Sequence, residues 1–253
     1  MTDFTTLVLE RDGAVARIWL NRPELRNAFD DTVIDELTRA FGEAGAAPEV
    51  RVIVLGAHGS AFCAGANLNW MCRAADFTHA QNVADAGGLA TMLRTIHESP
   101  KPVIARVQGD VYAGGMGLVA ACDIAVSVNT AGYCLSEVKI GLVPATISPY
   151  VIRAMGSRAA QRYFLTAERF NAAEAHRIGF VHEVVAADAL DARVAQLVHS
   201  LASAGPAAVG ACKQLLRDVA GRAIDDALVA QTVERIADIR ASAEGREGVQ
   251  AFL

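Results

Sequence analysis

The sequence predicts an α/β fold with a helical C-terminal region, on three observations. Short runs rich in Val and Ile alternate with segments of helical spacing, as in βαβ units around a largely parallel sheet. Beyond Ser157 the pattern turns almost wholly helical. The 253 residues are 53% hydrophobic and 20% charged, enough to bury one large core.

The elements follow in order. "TTLVLERDGAVARIWLN" reads as two strands turning at Asp12-Gly13. "DDTVIDELTRAFGEAG" has helical spacing, acids in its first turn and Gly45 near its end. "VRVIVLGA" is a buried strand leading into the glycine-rich loop "HGSAFCAGANLNWM". "THAQNVADAGGLATMLRTIHES" is a helix stopped by "PKP". The strand "VIARV", the glycine turn "VYAGGMGL" with a short helix, and the strand "DIAVSV" come next. In the last third Ser157, Asn171 and Asp188 are expected helix N-caps, and Pro206 a helix start. Only "FVHEVV" there reads as a strand. The expected division is an α/β core over residues 1–190 and a helical region over 191–253.

Bulk properties exclude several classes of function. A net charge of −5 argues against nucleic-acid binding, while leaving room for a local basic site for a small anion. The N-terminal "MTDFTTLVLERDG" lacks the apolar core of a signal peptide, and no apolar run reaches the ~18–20 residues of a membrane span. The cysteines at 63, 72, 122, 134 and 212 are odd in number and lack CxxC spacing, so reduced thiols and a cytoplasmic location are expected. Cys122 and Cys134 lie in apolar runs as small core residues. The six histidines show no metal-ligand spacing, and no metal is expected.

Two strand-to-helix loops carry glycines. In "SAFCAGANLNW" Gly65 permits a tight turn that points the Ala66 amide outward; in "VYAGGMGL" the Gly114 amide opens a helix. Two such amides meeting at one point make an oxyanion hole. Glycines here also serve close helix packing, and the spacing alone leaves both readings open. Glu137, in "CLSEVKIGLVPATISPYV", is an acid among apolar residues. Burial would raise its pKa toward neutrality, where it could move protons; a surface glutamate or a partner of Lys139 is the alternative.

Taken together, "IWLNRPELRNAFD", "FCAGANLNWM", "VQGDVYAGGMGLVAACDIAV" and "SEVKIGLVPA" resemble the crotonase (enoyl-CoA hydratase/isomerase) superfamily over nearly the whole chain. The resemblance implies a spiral of ββα units with a helical C-terminal oligomerisation region, trimers or hexamers, and an acyl-CoA thioester as substrate. CoA belongs to that substrate, and no separate cofactor is implied. The resemblance makes Glu137 the catalytic acid/base, with the amides of Ala66 and Gly114 at the thioester oxygen. It assigns Arg26 and Ala28 to the loop around the adenine end of CoA, and Ala64 and Leu68 to the pantetheine tunnel and acyl pocket. Asn67 stands where the family usually has Asp, a mostly structural position.

Three departures from the family pattern carry information. Gly117 occupies the place where two-glutamate hydratases carry one glutamate. "PATISP" replaces the glycine-rich stretch of many members, which predicts a different pocket shape near Ala145. The sequence reads "GVQAFL" where many members continue into a basic tail, so Arg22 and Arg26 are expected to meet more of the CoA phosphate charge, and Phe252 to pack on a neighbour's CoA.

The reaction stays open among three readings: a hydratase working with one glutamate, a double-bond isomerase using the same glutamate, and a non-catalytic acyl-CoA-binding homologue. The stretches "FCAGANLNWM", "CLSEVKIGLVPATISPYVIRAMG" and "QRYFLTAERFNAAEAHRIGFVHEVV" resemble bacterial members assigned to 3-methylglutaconyl-CoA hydration in leucine degradation and favour the first. Arg73 is then the candidate partner of a distal substrate carboxylate, with a plain surface arginine as the alternative. Cys72 stands where that subgroup often has lysine.

Overall fold

The computed structural model describes residues 4–253; Met1, Thr2 and Asp3 of the expected core lie outside the described residues. The hairpin forms as read, with β1 (Leu7–Asp12) antiparallel to β2 (Val15–Leu20). Helix α1 (Asp31–Ala46) is capped by Asp30, whose carboxylate accepts from the Val33 amide at 3.2 Å. Val33, Leu37, Ala40, Phe41 and Ala44 recur at helical spacing and form its buried stripe.

Then come β3 (Val52–Ala57), β4 (Ala61–Cys63), α2 (Leu68–Ala75), α3 (His79–His97), β5 (Val103–Val107), β6 (Asp110–Tyr112), α4 (Gly114–Ala121), β7 (Ile124–Val128) and β8 (Gly132–Cys134). The odd strands β3, β5 and β7 join a six-stranded sheet of order β1-β2-β3-β5-β7-β10, where β10 is Glu183–Val185. The even strands β4, β6 and β8 join a second, four-stranded sheet closed by β9 (Phe170–Asn171). The pairs β3-β4, β5-β6 and β7-β8 thus each send one strand to each sheet before a helix, while β1 and β2 both lie in the first sheet; this is the expected spiral of ββα units. All six residues of β3 are buried, as a strand covered on both faces requires.

Helices α5 (Ser148–Thr166), α6 (Ala172–Arg177), α7 (Leu190–Ala202), α8 (Pro206–Val219), α9 (Asp226–Ala241) and α10 (Ala243–Phe252) complete the chain. Asn171 caps α6 through the Glu174 amide at 2.9 Å, and Pro206 opens α8. Two expected caps are corrected. Ser157 lies inside α5, just after a kink at Gly156 (φ 75), and Asp188 lies in a single 3₁₀ turn, with Ala189 at the N-cap of α7. The break between the two parts of α5 falls beside the expected Ser157, so the bend was legible but not the cap. The whole second sheet was unexpected: β4, β6 and β8 have three residues each and β9 two, too short to show a period. Cys134 is buried, while Cys122 is partly exposed. Among the described residues no helix is long and apolar enough to cross a membrane.

Candidate active site

Strands β4, β6 and β8 are parallel neighbours and end side by side. The segment after each carries one of the expected site residues: Ala66 after β4, Gly114 after β6 and Glu137 after β8. Topology thus gathers three residues far apart in sequence at the carboxyl edge of one small sheet.

Phe29 explains why the Ala66 amide is free. Its own amide donates to Gly65 O at 2.9 Å, and its carbonyl accepts from Asn67 N at 2.8 Å, forming an isolated parallel bridge. Extended chain alternates the direction of its amides, so the Ala66 N–H faces the other way. Among the described residues it meets no acceptor. Gly65 sits at φ 88, where a side chain is disfavoured.

The Gly114 amide opens α4 and has no helical partner of its own. It is aimed by Ala113, held at φ 47 and ψ −123 while its amide donates to Cys134 O at 2.8 Å. Such a backbone costs about 1–3 kcal/mol for a residue with a side chain. The two loops touch: a Cβ on Gly65 would lie 2.9 Å from Ala113 Cβ and 3.7 Å from Gly114 N.

Glu137 begins a 3₁₀ turn, Glu137–Ile140. Its Oε2 is buried without a hydrogen-bond partner, and burial pushes its pKa up. No ion pair joins it to Lys139 among the described residues. Glu36 provides the contrast. Burial pushes that carboxyl up too, but donors on Thr6 and Thr5 outweigh it and hold the pKa below the usual range. The buried Glu36 carboxylate is satisfied, while the buried Oε2 of the half-buried Glu137 is left free to bond something outside the chain.

Ala64, Ala66, Leu68, Gly114 and Glu137 line one cleft of about 380 Å³. Phe29, Trp70, Asp85 and Ile147 line it as well, and none of these four was expected from sequence. Their roles rest on contacts across the fold. Arg26 and Ala28 lie outside this lining but close by, since Arg26 O accepts from Ala64 N at 3.0 Å. Arg26 is exposed, at φ 51, and Ala28 is buried.

Two candidate cations are ion-paired in the chain. Arg22 is only partly exposed and pairs with Asp30 at 2.6 Å. Arg73 pairs with Asp31 at 2.8 Å and does not line the cleft. Asn67 accepts from Asn69 N at 2.9 Å and Trp70 N at 3.3 Å, capping α2 as a structural residue would. Tyr163 donates to Glu174, and Tyr150 packs edge-on to His97. Phe252 is exposed. A larger cleft, about 580 Å³, is lined by Arg162, Arg169 and Arg177, each already bound to an acid.

Residues 10–253 match the family model described as enoyl-CoA hydratase/isomerase. The chain belongs to that family. An enoyl-CoA hydratase crystal structure from Shewanella pealeana is 42% identical with a TM-score of 0.96, covering 98% of this chain and 93% of that one. An Alternaria alternata enoyl-CoA hydratase is 35% identical, covering 97% of this chain and 80% of that protein. The 2,3-dehydroadipyl-CoA hydratase of Escherichia coli is 29% identical, over 98% of this chain and 95% of that protein. Within the enoyl-CoA hydratase/isomerase family, a cleft holding two free amides and a buried carboxyl fits an acyl-CoA thioester.

Proposed function

We propose that this protein hydrates a 2-enoyl-CoA thioester, using Glu137 as its single acid/base. The carrying observation is the unpartnered Oε2 of Glu137 in the same cleft as the free amides of Ala66 and Gly114. In this reading the thioester oxygen accepts both amides. Glu137 takes a proton from water as the water oxygen bonds to the β-carbon. The double-bond electrons move onto the thioester oxygen, where the amides stabilise the enolate. The enolate then re-forms the carbonyl, and its α-carbon takes the proton back from Glu137. Water is added overall, the carboxylate is regenerated, and no cofactor beyond the substrate's CoA is needed.

The cleft favours a neutral acyl chain over a dicarboxylic one such as 3-methylglutaconyl. Among the described residues its lining holds two carboxylates, Asp85 and Glu137, and no Lys, Arg or His. Asp85 accepts from Trp70 Nε1 at 2.9 Å, which accounts for one of its oxygens. A distal carboxylate would meet repulsion without a counter-charge. Residues 1–190 form the catalytic core in this proposal, and 191–253 an oligomerisation region for a trimer or hexamer. Val229, Val233 and Ile236 of α9 are exposed, which supports that assignment.

Purified protein offered crotonyl-CoA should bleach the absorbance of the conjugated thioester. A 3-enoyl-CoA that instead gains this absorbance, with crotonyl-CoA untouched, would move the assignment to isomerisation. Tight binding of both without turnover would leave a non-catalytic binding protein. Faster turnover of 3-methylglutaconyl-CoA or 2,3-dehydroadipyl-CoA than of neutral enoyl-CoAs would overturn the preference for a neutral chain.

A further inference from the structure

Gly117 lies close to one helical turn beyond Gly114 on α4, a rise of about 4.5 Å. It is buried, and the space beside it is already filled. A Cβ built on Gly117 would stand 2.3 Å from Ile147 Cγ2 and 2.8 Å from Ile147 Cβ, with Leu93 Cδ2 at 3.4 Å. The clash includes the branch point of Ile147 itself, so no rotation about χ1 opens the space. The backbone cannot easily withdraw either. Ile147 caps α5, and its carbonyl accepts from the amides of Tyr150 and Val151, both at 3.1 Å. Ile147 is 2% exposed and lines the same cleft as Glu137. The glycine on α4 and the residue before α5 are thus two halves of one packing arrangement.

We propose that Ile147 is a specificity-determining residue: it occupies the room that a side chain at position 117 would need, and closes that side of the cleft with an apolar wall that limits the acyl group. This rests on the acyl-CoA reading of the cleft. Two consequences are separate in kind. No carboxylate side chain fits at position 117 while Ile147 is present, so Gly117 is required by shape. The acyl chain that enters is bounded by a branched hydrocarbon surface, so its size and apolar character are selected there.

The test combines stability with binding. Gly117→Ala, Ile147→Ala and the double variant are compared by thermal unfolding. Gly117→Ala should lower the midpoint in the native background and cost much less beside Ile147→Ala. Calorimetry with butyryl-CoA and hexanoyl-CoA then reads the wall without requiring turnover. Ile147→Ala should improve hexanoyl-CoA relative to butyryl-CoA by about tenfold, the scale of a methylene or two in an apolar pocket. Equal costs of Gly117→Ala in the two backgrounds, or an unchanged ratio of dissociation constants, would overturn the proposal. Failure to bind either thioester would instead reject the acyl-CoA reading, while the unfolding cycle still reports the contact. Failure to hydrate crotonyl-CoA, with the binding ratio shifted as expected, would reject the hydratase reading alone.

Discussion

The ring of Phe29 lies against Gly114 so closely that a Cβ on that glycine would stand 2.3 Å from Phe29 Cζ. The same residue holds Gly65 O and Asn67 N through its backbone. Phe29 therefore sets both amide-bearing loops at once, and a displacement at one is felt at the other.

Gly114→Val is expected to swing the ring or the loop and remove one oxyanion donor. The loss in kcat should be about 10²–10³, or ~3–4 kcal/mol, measured with crotonyl-CoA on protein shown folded by circular dichroism. Near-native kcat in a folded variant would dissociate the Gly114 amide from catalysis.

Phe29→Ala removes a ring that is 1% exposed. Cavity formation should cost about 3–5 kcal/mol in urea unfolding. A loss below ~1 kcal/mol would mean that the two loops hold each other without it.

Glu137→Gln should lower turnover by on the order of 10² or more. The pH dependence has a definite sign. Glu137 must be ionised to accept the first proton, and burial raises its pKa above the ordinary 4.5. Activity should therefore fall as pH drops through that raised value, earlier than a surface glutamate would dictate. Stability runs the other way. A folded-state pKa above the unfolded one makes stability decline as pH rises through the folded value. The Gln variant should thus unfold at a higher midpoint than the parent at neutral pH, and an unchanged or lower midpoint would contradict this.

Lys213 of α8 is 7% exposed; its Nζ donates to Asp123 Oδ2 at 2.7 Å and to Lys101 O at 3.2 Å. Asp123 Oδ2 also accepts from Val103 N at 2.7 Å. The pair fastens α8 to the start of β5. Lys213→Ala leaves the carboxylate without its partner and should cost about 3–5 kcal/mol in urea unfolding. A change within ~1 kcal/mol would show that Asp123 recovers its solvation from water.

Arg73→Ala tests the distal-carboxylate idea directly. With Arg73 paired to Asp31 outside the cleft lining, kcat/KM for dicarboxylic and neutral substrates should change by the same factor. A selective loss on the dicarboxylic substrate would return Arg73 to the site.

Much of the fold was legible because periodicity is local. The Asp12-Gly13 hairpin, the stripe of α1 and the alternation of strand and helix all lie within windows a reader can scan. Caps were less legible: the break in α5 falls at Gly156, one residue before Ser157, and the N-cap of α7 is Ala189, one residue after Asp188. At the site, Ala66, Gly114 and Glu137 were named from sequence and the fold gathers them in one cleft. Arg22 and Arg73 were not legible as ion-paired residues, because nothing local says which acid a surface arginine will meet.

The sequence by itself determined the alternation of strands and helices, the two glycine loops and the one acid set among apolar residues. These follow from backbone freedom and hydrophobic spacing, which act over a few residues. Only the tertiary structure decided that β4, β6 and β8 end together, that Phe29 frees one amide and abuts the other, and that Ile147 fills the space beside Gly117. Those are contacts between distant parts of the chain. They depend on close packing, in which an atom's place is set by whatever else occupies the volume.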